Sequence, residues 1–245
     1  RQYRSNTPYR QFCDNSSVTP ETIAIWMDIP AIPARAFKLT DLSCVLLDQA
    51  NMVFYSSGTT EGNHSKHHMD LSAWQLYDMS LSQGFYKFVW EKLDIIALMP
   101  SPVEAPHSSL SYMLGQLCAK EFHWGNPEKL GSRLSEIAAV GKPICLFGTA
   151  FAFIELFDST ERNWTFPEGS KVVETGGFKG RTREVSKDEL YAMFETRLGV
   201  PLGNCIAEYG MSEMSSQFYD VGRTGFQAPH WLRWRIIDPL SLIHI

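Results

Sequence analysis

The sequence predicts an α/β fold, a mainly parallel sheet covered by helices. Two observations carry this expectation. From residue 52 onward, short β-favouring runs alternate with stretches of helical spacing. Gly-, Ser- and Thr-rich segments follow three of those runs, as they do at the carboxyl ends of parallel strands, where ligands bind.

The first fifty residues are mixed. Tyr9–Phe12 reads as a short helical piece. Ile29-Pro30-Ala31-Ile32-Pro33 reads as an extended connector, because each proline fixes φ and removes a donor. Met52–Tyr55 is the first β-favouring run. Asp70–Trp90 has helical spacing through Leu71, Trp74, Tyr77, Leu81, Phe85 and Phe88. Ile95–Met99 is a buried-strand pattern closed by Pro100 and Pro102. Leu110–Lys120 and Glu128–Val140 read as helices, the second stopped by Gly141. Pro143–Gly148 resumes as a strand, and Phe151–Phe157 is short and mostly apolar. Lys171–Glu174 is a strand running into Thr175-Gly176-Gly177. Ser186-Lys187-Asp188-Glu189 is a capping box, in which the serine accepts from the N3 amide and Glu189 reaches back. Leu190, Met193, Phe194 and Leu198 form one face of the following helix, which Gly199 stops. Asn204–Ala207 is a strand that delivers Glu208-Tyr209-Gly210.

Composition narrows the function. The 245 residues are 44% hydrophobic and 20% charged, enough for a large core without a metal or disulfide staple. A net charge of -5 leaves no basic excess, which argues against a nucleic-acid partner. No run of about eighteen apolar residues is present, so no membrane span is expected. The five cysteines, Cys13, Cys44, Cys118, Cys145 and Cys205, include no C-x-x-C pair. Their spacing fits a reducing, cytoplasmic setting, with Cys118 and Cys145 as buried, inert thiols.

Three segments offer chemistry. In Ser56-Ser57-Gly58-Thr59-Thr60-Glu61-Gly62, hydroxyls and free amides after a strand suit phosphate oxygens, although no G-K-[ST] follows. In Glu174-Thr175-Gly176-Gly177-Phe178-Lys179-Gly180-Arg181, the glycines permit close approach of a flat ligand. In Glu208-Tyr209-Gly210-Met211-Ser212-Glu213, an aromatic ring, a glycine, a hydroxyl and a carboxylate suit a base, its sugar, phosphate and Mg²⁺. Taken singly, each segment is also what an ordinary polar turn or strand end looks like. His64, His67 and His68 cluster without a cysteine nearby and read as loop-packing residues rather than a metal site. Phe147, Phe151 and Phe153 suit core packing first and an acyl pocket second.

Together, the order and content of these segments resemble the adenylate-forming superfamily. The phrases E-T-G-G-x-K-G-R and Y-G-M-S-E-x-x-S-Q, the stretch Asp28–Pro33, and Ser65-Lys66-His67 narrow the likeness to the acyl-protein synthetases, also called long-chain-fatty-acid–luciferin-component ligases. It runs from about Tyr9 to Pro239. The resemblance implies the large N-terminal domain of such an enzyme, with the small C-terminal domain absent. It implies that Ser57, Gly58, Thr59 and Thr60 hold the triphosphate, Thr59 and Thr60 at the reacting phosphates. Gly176 and Gly177 would lie against adenine and Tyr209 would stack on it, with Gly210 beside it. Ser212 would touch phosphate and Glu213 would bind Mg²⁺. The implied reaction is ATP-dependent: a fatty acid or other carboxylate becomes an acyl-adenylate, and the acyl group then passes to a protein thiol.

One departure stands in the phosphate loop, where Glu61 replaces the family's glycine. An acidic side chain beside phosphate costs electrostatic stabilisation unless it points away or binds the metal. Two alternatives stand: within the superfamily, a coenzyme A ligase resembling phenylacetate–CoA ligases, and, suggested by Glu61, a non-catalytic nucleotide-binding protein. The family pattern also places no nucleophile at Cys205. Residues 1–239 are expected to be a truncated large domain. Leu240–Ile245 reads as the translation of a transposon-end library adapter, so the fragment is expected to lack full turnover.

Overall fold

The computed structural model describes residues 1–56, 64–89, 92–176, 183–236 and 238. The chain divides into two compact units. The first comprises Arg1–Tyr77, Met211–Ser215 and His230–Ile245, and the second comprises Asp78–Gly210 and Ser216–Pro229.

The first unit begins with three helices, α1 (Gln2–Ser5), α2 (Thr7–Asn15) and α3 (Ala36–Leu39). Asn6 caps α2 by accepting from the Tyr9 amide at 3.1 Å, and Pro8 supplies a preset φ in its first turn. An antiparallel pair follows, β1 (Met52–Tyr55) with β2 (Lys66–Met69), in the register Phe54↔His67 and Tyr55↔Lys66. The sequence reading gave no strand at β2. Lys66-His67-His68 has no β-favouring side chains, and cross-strand pairing with β1 supplies what propensity does not. The chain continues through α4 (Leu71–Phe88) into the second unit.

The second unit holds the expected parallel sheet. Its elements are β3 (Asp94–Leu98), α5 (Ser109–Gln116), β4 (Glu121–Phe122), α6 (Pro127–Val140), β5 (Ile144–Thr149), α7 (Ala150–Asp158), β6 (Lys171–Thr175), α8 (Lys187–Leu198), β7 (Cys205–Met211) and β8 (Ser216–Val221). The strands lie in the order β4-β3-β5-β6-β7-β8, and each neighbouring pair from β4 to β7 is parallel. The central strand β5 is buried from Ile144 through Gly148 and reads as a continuous apolar run, as a strand covered on both faces must.

Phe151–Phe157 proves to be a helix. Thr149 caps it, accepting from the Ala152 amide, and it buries Phe153, Ile154, Leu156 and Phe157. Phe153 meets Phe194 of α8 edge-on at 4.8 Å between ring centres. Each such buried ring stabilises the fold by roughly 1.5–3 kcal/mol relative to leaving it exposed. Ser186 caps α8 through the Glu189 amide at 3.1 Å, whereas the Glu189 carboxylate pairs with Arg183. Gly199 ends α8 in the left-handed region at φ 70°.

The short strands β4 and β8 were not legible in sequence. The expectation that Cys118 is buried is also corrected. Helix α5 stops at Gln116, and Cys118 takes the left-handed place in the terminating turn at φ 56°, which leaves it exposed. Among the described residues, no helix is long and apolar enough to cross a membrane.

Candidate functional site

In the first unit, the chain enters the candidate phosphate loop from β1 and leaves it into β2. Ser56 follows β1, and three hydrogen bonds close the hairpin there. The Ser56 amide donates to the Ser65 carbonyl at 3.0 Å, and the Ser65 amide donates to Ser56 Oγ at 3.0 Å. His64 Nδ1 meets the Ser56 carbonyl at 2.7 Å. The loop residues Ser57, Gly58, Thr59, Thr60 and Glu61 lie outside the described residues, so their expected phosphate contacts are not described.

Glu213, from the third sequence segment, meets this hairpin. Ser65 Oγ donates to Glu213 Oε1 at 2.5 Å, the length of a charge-assisted O–H···O⁻ bond. Next to it, His67 Nε2 lies 3.1 Å from Ser215 Oγ. Burial pushes the His67 imidazole below its usual range, while the nearby Glu213 charge pulls the other way. Ser212 is buried in the turn that follows Met211. The three clustered histidines find separate partners: His64 on Ser56, His67 on Ser215, and His68 at 3.5 Å from Asp41. Among the described residues, no three carboxylate, imidazole or thiol groups converge as a metal site.

In the second unit, the carboxyl ends of β6 and β7 lie side by side, with Thr175 opposite Glu208. Gly176 follows Thr175 at φ 70°, a left-handed backbone that favours glycine, and a Cβ there would meet nothing within 4 Å. Gly177 lies outside the described residues. Tyr209 is 49% exposed and sits edge-on to Phe226, 6.0 Å between ring centres. It is thus not the core tyrosine that a strand end would ordinarily supply, and part of its ring is open to a ligand.

Gly210 packs against the Glu208 side chain. A Cβ there would fall 2.5 Å from Glu208 Oε1 and 3.3 Å from the Gln217 side chain. Residues two apart on a strand share a face, so the Glu208 carboxyl folds back beneath Gly210 while Tyr209 points the other way. Glu208 is 6% exposed and accepts a short hydrogen bond from Thr175 Oγ1. Burial pushes its carboxyl up to about 7. The Thr175 hydroxyl opposes that shift and the Glu174 charge adds to it. Glu174 itself is buried, and accepts from Lys187 Nζ at 2.7 Å and from the Tyr191 hydroxyl at 3.1 Å.

Sequence reasoning assigned no role to Ser65, Thr175, Glu208 or Lys187 in this arrangement. The available signal was an acid two residues before a glycine at a strand end. Cys205 is fully buried, and burial pushes its thiol up to about 12, so it is a packed side chain and not a nucleophile. Phe147 and Phe153 are core residues, while Phe151 is half-buried against Trp124.

No protein-family model matches the chain. Over 255 aligned positions it is 24% identical to the long-chain-fatty-acid–luciferin-component ligase of Vibrio harveyi, covering 98% of this chain and 67% of that protein. The ligase of the same name from Aliivibrio fischeri is also 24% identical, with the same coverage. Among solved structures, 2-hydroxyisobutyryl-CoA ligase with 2-HIB-AMP and CoA superposes with a TM-score of 0.72 at 15% identity, over 100% of this chain and 54% of that one. A long-chain-fatty-acid-CoA ligase from Archaeoglobus fulgidus superposes with a TM-score of 0.54 at 13% identity, over 82% of this chain and 41% of that one. The chain therefore spans about half the length of the first of these structures, and it shares their fold.

Proposed function

On the premise that the chain is similar along nearly its whole length to long-chain-fatty-acid–luciferin-component ligases and has the fold of adenylate-forming ligases, we propose that it is the nucleotide-binding large domain of an ATP-dependent acid–thiol ligase. In the first step, a carboxylate oxygen of a long-chain fatty acid attacks the α-phosphorus of ATP. The bond to the bridging oxygen breaks, and pyrophosphate leaves. In the second step, a protein thiolate attacks the acyl carbon and AMP departs. A carboxylate is a poor electrophile, and adenylation gives it a leaving group.

The residues divide the work. Ser57, Thr59 and Thr60 donate hydroxyls to the triphosphate, and Gly58 lets its backbone approach. Gly176 and Gly177 lie against the adenine, Tyr209 stacks on it, Gly210 makes room beside it, and Ser212 donates to phosphate. Glu213 fits a Mg²⁺ ligand: one carboxylate oxygen is held by Ser65, which orients the other. A single oriented carboxylate suits an ion that takes its remaining ligands from phosphate oxygens and water. When bound, Mg²⁺ supplies charge stabilisation on those phosphates.

The bond from Ser65 to Glu213 carries this reading. It joins the hairpin that borders the phosphate loop to the carboxylate of the Tyr-Gly-Met-Ser-Glu motif. Fatty-acid-dependent ATP–pyrophosphate exchange by the protein with its native downstream sequence is the test. Absence of exchange with any carboxylate would sink the ligase reading. Glu213→Gln should lower exchange at least tenfold, about 1.4 kcal/mol of transition-state stabilisation. An unchanged rate would remove the metal-ligand assignment.

Two other readings have specific support. The fold is shared with a CoA ligase, so supplying CoA and looking for acyl-CoA separates a CoA acceptor from a protein cysteine. Glu61, at a position where the resembling family has a phosphate-loop glycine, favours a nucleotide-binding protein without catalysis, which would bind AMP and show no exchange. A cytoplasmic setting is part of the proposal, since Cys145 and Cys205 are buried free thiols.

A further inference from the structure

We infer that Glu208 is a proton-dependent positioning residue for the nucleotide, acting through Thr175 to fix the ends of β6 and β7. The inference rests on the nucleotide reading above and adds a residue and a form of regulation to it.

The geometry carries it. Thr175 and Glu208 are register partners on neighbouring parallel strands, and the Thr175 hydroxyl donates to the Glu208 carboxyl. The residue after Thr175 is Gly176, and the residue after Glu208 is Tyr209. One buried hydrogen bond thus ties together the two backbone segments assigned to the adenine. The Glu208 carboxyl lies against Gly210, where a Cβ would fall 2.5 Å from Oε1, so it sits next to the backbone that follows Tyr209.

The charged surroundings set the direction. From β6, the negative charge of Glu174, one residue out of step, acts on the carboxyl through space. From α8, Lys187 and Tyr191 are spent on Glu174. From β8, Gln217 is uncharged, and Asp220 adds negative charge near Tyr191. The described residues bring no cation to Glu208. Ionisation therefore adds a negative charge beneath the segments assigned to the adenine of an anionic nucleotide. The neutral carboxyl is the binding form, and it is lost as pH rises through about 7.

The test measures AMP affinity by calorimetry from pH 6 to pH 8.5 for the 245-residue chain and for Glu208→Gln, which keeps an acceptor and cannot ionise. Titration of the AMP phosphate is common to both proteins and cancels in their affinity ratio. Wild-type affinity should fall at least threefold relative to Glu208→Gln across that range. Thr175→Val, which removes the donor that favours the ionised form, should move the break to lower pH-sensitivity below 7 and to a higher midpoint. Thr175→Ser should restore the wild-type midpoint. A merely structural glutamate would give a ratio independent of pH, and that flat ratio with normal AMP binding would overturn this inference alone. Absence of AMP binding by both proteins at every pH would overturn the nucleotide reading and this inference with it.

Discussion

Glu174 and Glu208 sit one residue out of step on adjacent strands, and both are buried, at 2% and 6% exposure. Their partners differ. Glu174 accepts from the Lys187 ammonium and the Tyr191 hydroxyl, whereas Glu208 accepts from the neutral Thr175 hydroxyl. Burial penalises a carboxylate at either place, but among the described residues a cation offsets it at Glu174 and not at Glu208. Two acids a strand apart thus serve different ends. One anchors α8 to the sheet, and the other is left poised to titrate where the candidate adenine segments begin.

The largest expected effect tests whether Glu208 lacks compensation. Its folded value of about 7 lies above the ordinary 4.5 of an unfolded glutamate. Between those limits the unfolded chain has released the proton that the folded chain still holds. Stability conferred by the neutral carboxyl is therefore fully present below about 4.5 and is lost as pH rises to about 7. The total is on the order of 3 kcal/mol. Urea unfolding of wild type and Glu208→Gln at pH 4.5 and pH 8 should show the variant gaining by that amount. A difference that stays constant with pH would mean that Glu208 is ionised throughout.

A smaller effect is expected on the compensated side. Lys187→Met leaves the Glu174 carboxylate buried without its cation. Loss of one partner from a fully buried pair costs about 3–5 kcal/mol, but Lys187 is itself half in water, so roughly 2 kcal/mol is expected. Lys187→Arg should recover most of it. A urea midpoint for Lys187→Met equal to wild type would show that Tyr191 alone satisfies Glu174, and the contrast between the two acids would then narrow.

The contrast also marks what could be read from sequence. The parallel sheet was legible because β3, β5 and β6 are short apolar runs between helical spacings, and because Gly141 and Gly199 stop helices where glycine tolerates a left-handed backbone. Tyr209 and Glu213 stood out in sequence because their motif is contiguous, and their roles at a nucleotide belong to the proposal. Strand β2 was not, since Lys66-His67-His68 takes its strand form from pairing with β1. The bonds from Ser65 to Glu213 and from Thr175 to Glu208 were not legible either. They join residues 148 and 33 positions apart, and no local pattern encodes a long-range hydrogen bond. Cys118 misled because an apolar neighbourhood in sequence says nothing about which residue of a terminating turn faces water.

The smallest effect isolates the hydroxyl from which Glu208 accepts. Thr175→Val nearly preserves shape and removes one donor, so it should cost about 1 kcal/mol at pH 9, where the lost bond is to a carboxylate. The donor holds the folded value of Glu208 down, so its removal raises that value and leaves the unfolded value alone. The cost is therefore present above the folded value and should shrink towards pH 5, where both proteins carry a neutral carboxyl. Equal costs at pH 5 and pH 9 would mean that Thr175 supports the strand end by packing and not by its bond to Glu208.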